Sequence, residues 1–134
     1  MEAHELVPET LIIAAREAAK KAYAPYSKFC VGAAVMDEAG TIYMGCNVEN
    51  VSYGLTVCAE RIALFNALSQ GVRRFTALAL CAPERVTPCG ACRQVIAEFC
   101  DADLPIALTT PEGEETQVVR FGDLFPNPFD AVAL

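Results

Sequence analysis

The strongest constraint in the sequence is a pair of short segments, Cys58-Ala59-Glu60 and Pro88-Cys89-Gly90-Ala91-Cys92. Each opens a stretch with helical spacing. Cys89 and Cys92 have the Cys-x-x-Cys spacing that lets two thiolates from one turn bind one metal ion. A third thiolate from Cys58 would leave the fourth position of a tetrahedral zinc open for water, as in a catalytic rather than a structural site. The only histidine is His4, near the start of the chain. If three protein ligands are needed, the first is therefore Cys58. Glu60, two residues beyond it, is placed to move the proton of the bound water.

Each residue also has a plainer reading. Cys89 and Cys92 alone would suit a redox pair, but the chain lacks the rest of a thioredoxin-like pattern. Glu60 alone would suit the first turn of a helix, where a carboxylate favours the dipole. A zinc-binding module without catalysis would need a fourth protein ligand. Taken together, the two segments favour a catalytic zinc.

The bulk properties narrow the partners. A net charge of −7 and a pI near 4.6 disfavour a polyanion such as DNA or RNA. Arg73-Arg74 is the only adjacent arginine pair and makes a poor phosphate track. No apolar run approaches the roughly 18 residues of a membrane helix, and no secretory signal is evident. Seven cysteines, an odd number, argue against a disulfide framework. Cys30, Cys46, Cys81 and Cys100 are expected to be packing residues. The high hydrophobic fraction, 54%, points to apolar surface buried between subunits.

Periodicity predicts helices over residues 8–22, from Val57 to near Gly71, and over 89–99. It predicts strands over 29–36, 41–46, 75–82, 104–109 and 117–120, with at most one helical turn in the tail, 122–134. Pro8 is expected in the first helical turn. The chain is expected to form one domain, 1–134. An opening hairpin followed by strand–helix crossovers suggests a mixed sheet with helices on both faces.

Thr56-Val57-Cys58-Ala59-Glu60-Arg61 and Pro88-Cys89-Gly90-Ala91-Cys92-Arg93-Gln94-Val95 resemble the small cytidine deaminases. The zinc-deaminase signature H-x-E…P-C-x-x-C, with cysteine allowed for histidine, is an established pattern. The segments Phe29–Ala34 and Gly45–Asn50 resemble the same family. The resemblance implies a three-layer α/β/α fold with a mixed five-stranded sheet, one Zn2+ per subunit, and a cytoplasmic homotetramer of pyrimidine salvage. Zinc-bound hydroxide is then expected to attack carbon 4 of cytidine or deoxycytidine, with Glu60 as proton shuttle. The resemblance places Phe29 against the base, Asn47 and Glu49 on the ribose hydroxyls, and Ala59 among the substrate-binding residues. It takes Tyr53 and Phe129 to the site of a neighbouring subunit. Three thiolates on a +2 ion leave a net negative charge. Helix N-termini would offset it, as would Arg61, to which the resemblance gives that role, and Arg93 is a further candidate. A blasticidin-type deaminase is the nearest alternative.

Overall fold

The computed structural model describes residues 6–113 and 115–130; His4 and the end of the predicted tail lie outside them. The elements are α1 (Glu9–Ala19), β1 (Gly32–Asp37), β2 (Ile42–Cys46), α2 (Ala59–Ser69), β3 (Phe75–Cys81), α3 (Gly90–Phe99), β4 (Pro105–Thr109), β5 (Gln117–Arg120) and α4 (Phe121–Leu124). A short 3-10 turn, Tyr53–Leu55, interrupts the loop before α2. The sheet has the order β2-β1-β3-β4-β5. Only β3 and β4 run parallel; the other neighbours are antiparallel. A parallel pair needs a crossover, and α3 supplies it. The expected mixed five-stranded sheet is therefore present.

Side-chain alternation divides the core into two layers. On β3, Ala77, Ala79 and Cys81 face α1, together with Ala34 and Ala107. Leu78 and Leu80 face the opposite way, where they pack with Val35, Ile106, Leu64 and Ile96 against α2 and α3. The α1 side is built from small residues, so that helix lies close to the sheet. A Cβ on Gly32 would collide with the backbone of Ala15 and Ala19. Gly45 does the same service for α2, beneath Ala59 and Ala63. Both helices thus rest on β1 and β2 through glycine.

Several boundaries differ from the sequence expectation. Pro8 stands just outside α1 as its N-cap. Extended geometry there suits proline, and the helix starts at Glu9. β1 begins at Gly32 rather than Phe29, because Phe29–Val31 bonds to Asn47 before the ladder starts. Cys30 lies in that segment and is exposed, not packed. Cys81 is buried as expected, while Cys46 and Cys100 are half-buried. Gly71 ends α2 with φ +96°, a conformation glycine adopts without strain.

The Gly45 contact makes a direct prediction. Gly45→Ala must push the first turns of α2 off β2 and is expected to cost about 3 kcal/mol, as for an overpacked core. Denaturant unfolding measures it. A loss of only a few tenths would mean that α2 does not sit this close.

Candidate metal centre and substrate pocket

Cys58 and Cys89 occupy the N-cap positions of α2 and α3. Serine, threonine or aspartate would there fold back onto a free backbone N–H. Neither cysteine makes such a side-chain cap. Their sulfurs are left for another partner, at helix ends that each carry roughly half a positive charge. Cys92 follows in the first part of α3 and is fully buried. The three sulfurs converge: Cys58 Sγ is 3.8 Å from Cys89 Sγ, which is 3.5 Å from Cys92 Sγ. All three lie within 4.8 Å of one another. Zinc–sulfur bonds of about 2.3 Å in a tetrahedron set sulfurs about 3.8 Å apart, so the cluster fits one zinc.

The surroundings suit a cation held by thiolates. Arg61 Nη2 lies 3.6 Å from Cys58 Sγ. Its Nε is buried without a hydrogen-bond partner among the described residues. The bond to Cys58, first, and then contact with Cys92 and the charge of both sulfurs raise the guanidinium's pKa further. Cys58 is more acidic than an ordinary thiol, chiefly through its bond with Cys92 and then through Arg61 and Cys89. Cys92 moves the opposite way, through the same bond and through burial. Arg93 does not turn to the sulfurs; its guanidinium meets oxygens of Thr87, Pro88 and Leu124.

Glu60 lies in the first turn of α2 and is only 4% exposed. Burial pushes its carboxyl up to about 7. A buried acid at that value exchanges protons near neutrality, as a general acid–base requires.

Beside the cluster is a cavity of about 310 Å³, within the size range of small-molecule sites. Cys58, Ala59, Glu60 and Cys89 form one side. Phe29, Asn47 and Glu49 form another. The structure therefore brings together, at the sulfur cluster or along this cavity, every predicted site residue except Tyr53 and Phe129. Arg61 stands behind the sulfurs. Tyr53 and Phe129 are exposed and line no part of this cavity. Tyr53 packs edge-to-face on Tyr26, 6.5 Å between ring centres.

Asn47 and Glu49 also brace the cavity wall. Asn47 Oδ1 accepts from Val31 N at 2.9 Å, and its Nδ2 donates to Phe29 O at 2.8 Å. Glu49 accepts from the backbone N–H groups of Tyr26 and Ser27 and from the Ser27 hydroxyl. The Ser27 bond holds the carboxyl below its usual range. Glu49 stays ionised and can still accept from a ligand hydroxyl. Sequence reasoning missed Ser27, Val31, Thr56, Val86 and Thr87, which also line the cavity. Ser27 had a signal in Pro25, two residues before it, which breaks the helical pattern that precedes it; Val86 and Thr87 had none.

Residues 7–108 match the family described as the cytidine and deoxycytidylate deaminase zinc-binding region. The chain belongs to this family. It is 54% identical over 125 residues to the cytidine deaminase of Sporosarcina psychrophila, covering 90% of each chain. The crystal structure of cytidine deaminase from Burkholderia pseudomallei superposes with a TM-score of 0.86 at 48% identity, covering 92% of this chain and 99% of that one. The enzyme of that name from Mycobacterium tuberculosis gives 0.79 at 42% identity, covering 91% and 96%. The three-layer α/β/α expectation holds.

The cluster predicts the behaviour of Cys58→Ala. With two sulfurs left, the variant is expected to lose bound zinc at concentrations where the parent holds one ion per chain. Elemental analysis after dialysis checks this; full retention would remove Cys58 from the ligand set.

Proposed function

We propose that this chain is a zinc-dependent cytidine deaminase acting as one domain, 1–134. It hydrolyses cytidine and deoxycytidine to uridine and deoxyuridine with release of ammonia. The observation that carries the reading is the buried Glu60 carboxyl beside three convergent sulfurs, at one side of a nucleoside-sized cavity.

Cys58, Cys89 and Cys92 hold the zinc. The metal supplies Lewis acidity that makes water nucleophilic at neutral pH. Glu60 takes a proton from the attacking water and delivers it to ring nitrogen 3 as the bond from oxygen to carbon 4 forms, then carries that oxygen's remaining proton to the amino group as its bond to carbon 4 breaks and ammonia leaves. Arg61 offsets the thiolate charge. Phe29 packs on the base, and the Ala59 backbone borders it. Asn47 and Glu49 receive the sugar, with donors and acceptors still available beyond their bracing bonds. A pocket that pairs with hydroxyls rejects analogues lacking them.

The assembly we propose is a homotetramer in which Tyr53 and Phe129 serve a neighbour's site. Its support is an exposed apolar surface: Val51 is 78% exposed, Tyr53 74%, Leu55 66% and Phe129 64%. None of the described helices is long and apolar enough to cross a membrane. The acidity of the chain suits a small substrate over a nucleic acid polymer. The role we propose for it is pyrimidine salvage in the cytoplasm.

Purified, zinc-loaded protein is expected to release ammonia from cytidine and not from free cytosine. Zinc-bound protein silent on both would redirect the reading to blasticidin-like substrates. Glu60→Gln is expected to keep its zinc while turnover falls by roughly 10²- to 10⁴-fold. Near-normal turnover would take Glu60 out of the mechanism.

A further inference from the structure

After Ala82, whose N–H bonds to Thr109 O, residues 83–88 lead from β3 to the metal ligand Cys89, and Val86 and Thr87 form part of the cavity wall. The segment has no helix or strand. Among the described residues, none of its backbone groups bonds to another backbone group. A wall built this way has to be held by side chains.

Arg93 holds it. Nε donates to Pro88 O at 2.7 Å and Nη2 to Thr87 Oγ1 at 3.0 Å. Nη1 donates to Leu124 O at 2.6 Å. Leu124 closes α4, whose Phe121 is buried in the core beneath α2 and α3. The next residue, Gln94, donates from Nε2 to Phe129 O at 2.9 Å. One guanidinium therefore joins a segment without backbone bonds to a fixed helical turn. Its planar fork of donors serves three oxygens in different directions; a lysine ammonium does not reproduce that geometry.

We propose that Arg93 is a positioning residue for the substrate: it fixes the Val86–Pro88 wall of the cavity by tying it to the C-terminal segment. This rests on the nucleoside reading of that cavity. Arg93 does not itself line the cavity and makes no bond to the sulfurs, so it acts on the lining through Thr87 and Pro88.

The test compares the zinc-loaded parent with Arg93→Met and Arg93→Lys. Zinc content, KM and kcat for cytidine, and hydrogen exchange of residues 84–87 are measured together. The expected result for Arg93→Met is one zinc per chain, KM raised about tenfold, the scale of one lost positioning bond, and faster exchange in 84–87. Arg93→Lys keeps the charge and much of the stem and is expected to fall between. If Arg93→Met does not fold, Arg93→Lys carries the same comparison. An unchanged KM with a lower kcat, as from a partly inactive population, would overturn the proposal, as would unchanged exchange. Zinc loss would also overturn it, because Arg93 would then be placing Cys89 rather than the wall. A parent inactive on cytidine would be a failure of the deaminase reading instead, and exchange in 84–87 would then decide the role of Arg93.

Discussion

Three sulfurs gathered at two helix N-termini are the arrangement on which the rest of the molecule depends. Thiolates repel one another, and a cluster of them is tolerable only beside compensating positive charge. The chain supplies it from its backbone, through the starts of α2 and α3, and from Arg61. Using cysteine as the N-cap of both helices joins a backbone position to a ligand position. Helix direction, ligand placement and charge compensation therefore follow from one choice. Glu60 gains its raised carboxyl pKa from the same packing, since the first turn of α2 lies buried against the sheet.

The sheet's role is to hold those two helix starts at a fixed separation. Small residues make this possible. Gly45 lets α2 lie on β2, and the leucine and isoleucine face of β3 and β4 fills the space below α2 and α3. On the other side, alanines and Gly32 draw α1 onto the sheet. Close packing without voids resists small displacements. That stiffness keeps sulfurs from elements far apart in sequence within bonding distance of one ion.

Around the metal centre the cavity is made from irregular backbone, which needs separate bracing. Asn47 and Glu49 hold the Tyr26–Val31 side, and Arg93 holds the Thr87–Pro88 side. Loops without ladder bonds can follow the outline of a ligand, but side chains must then do what a sheet would otherwise do. Asn47 and Glu49 border the cavity as well as supporting its wall, whereas Arg93 supports the wall from outside the lining. The resemblance had given Asn47 and Glu49 only the first of these duties.

The sequence by itself determined the chemistry and the layers. The spacing of Cys58, Glu60, Cys89 and Cys92 was enough to name a three-thiolate metal site with an adjacent acid, because ligand chemistry depends on residue type and local spacing. Periodicity found the helices and all five strands, because burial on one face leaves its mark in the order of side chains. Only the tertiary structure decided where polar side chains spend their hydrogen bonds. Arg93 directly follows Cys92 and was a candidate to offset the thiolate charge, yet it reaches Leu124, 31 residues away. Asn47 closes on Phe29 and Val31 across separations of 18 and 16 residues. Cys30 left the expected strand once Asn47 had claimed its neighbours. A donor bonds to whatever acceptor folding brings within about 3 Å, and no local pattern in the chain records which acceptor that will be.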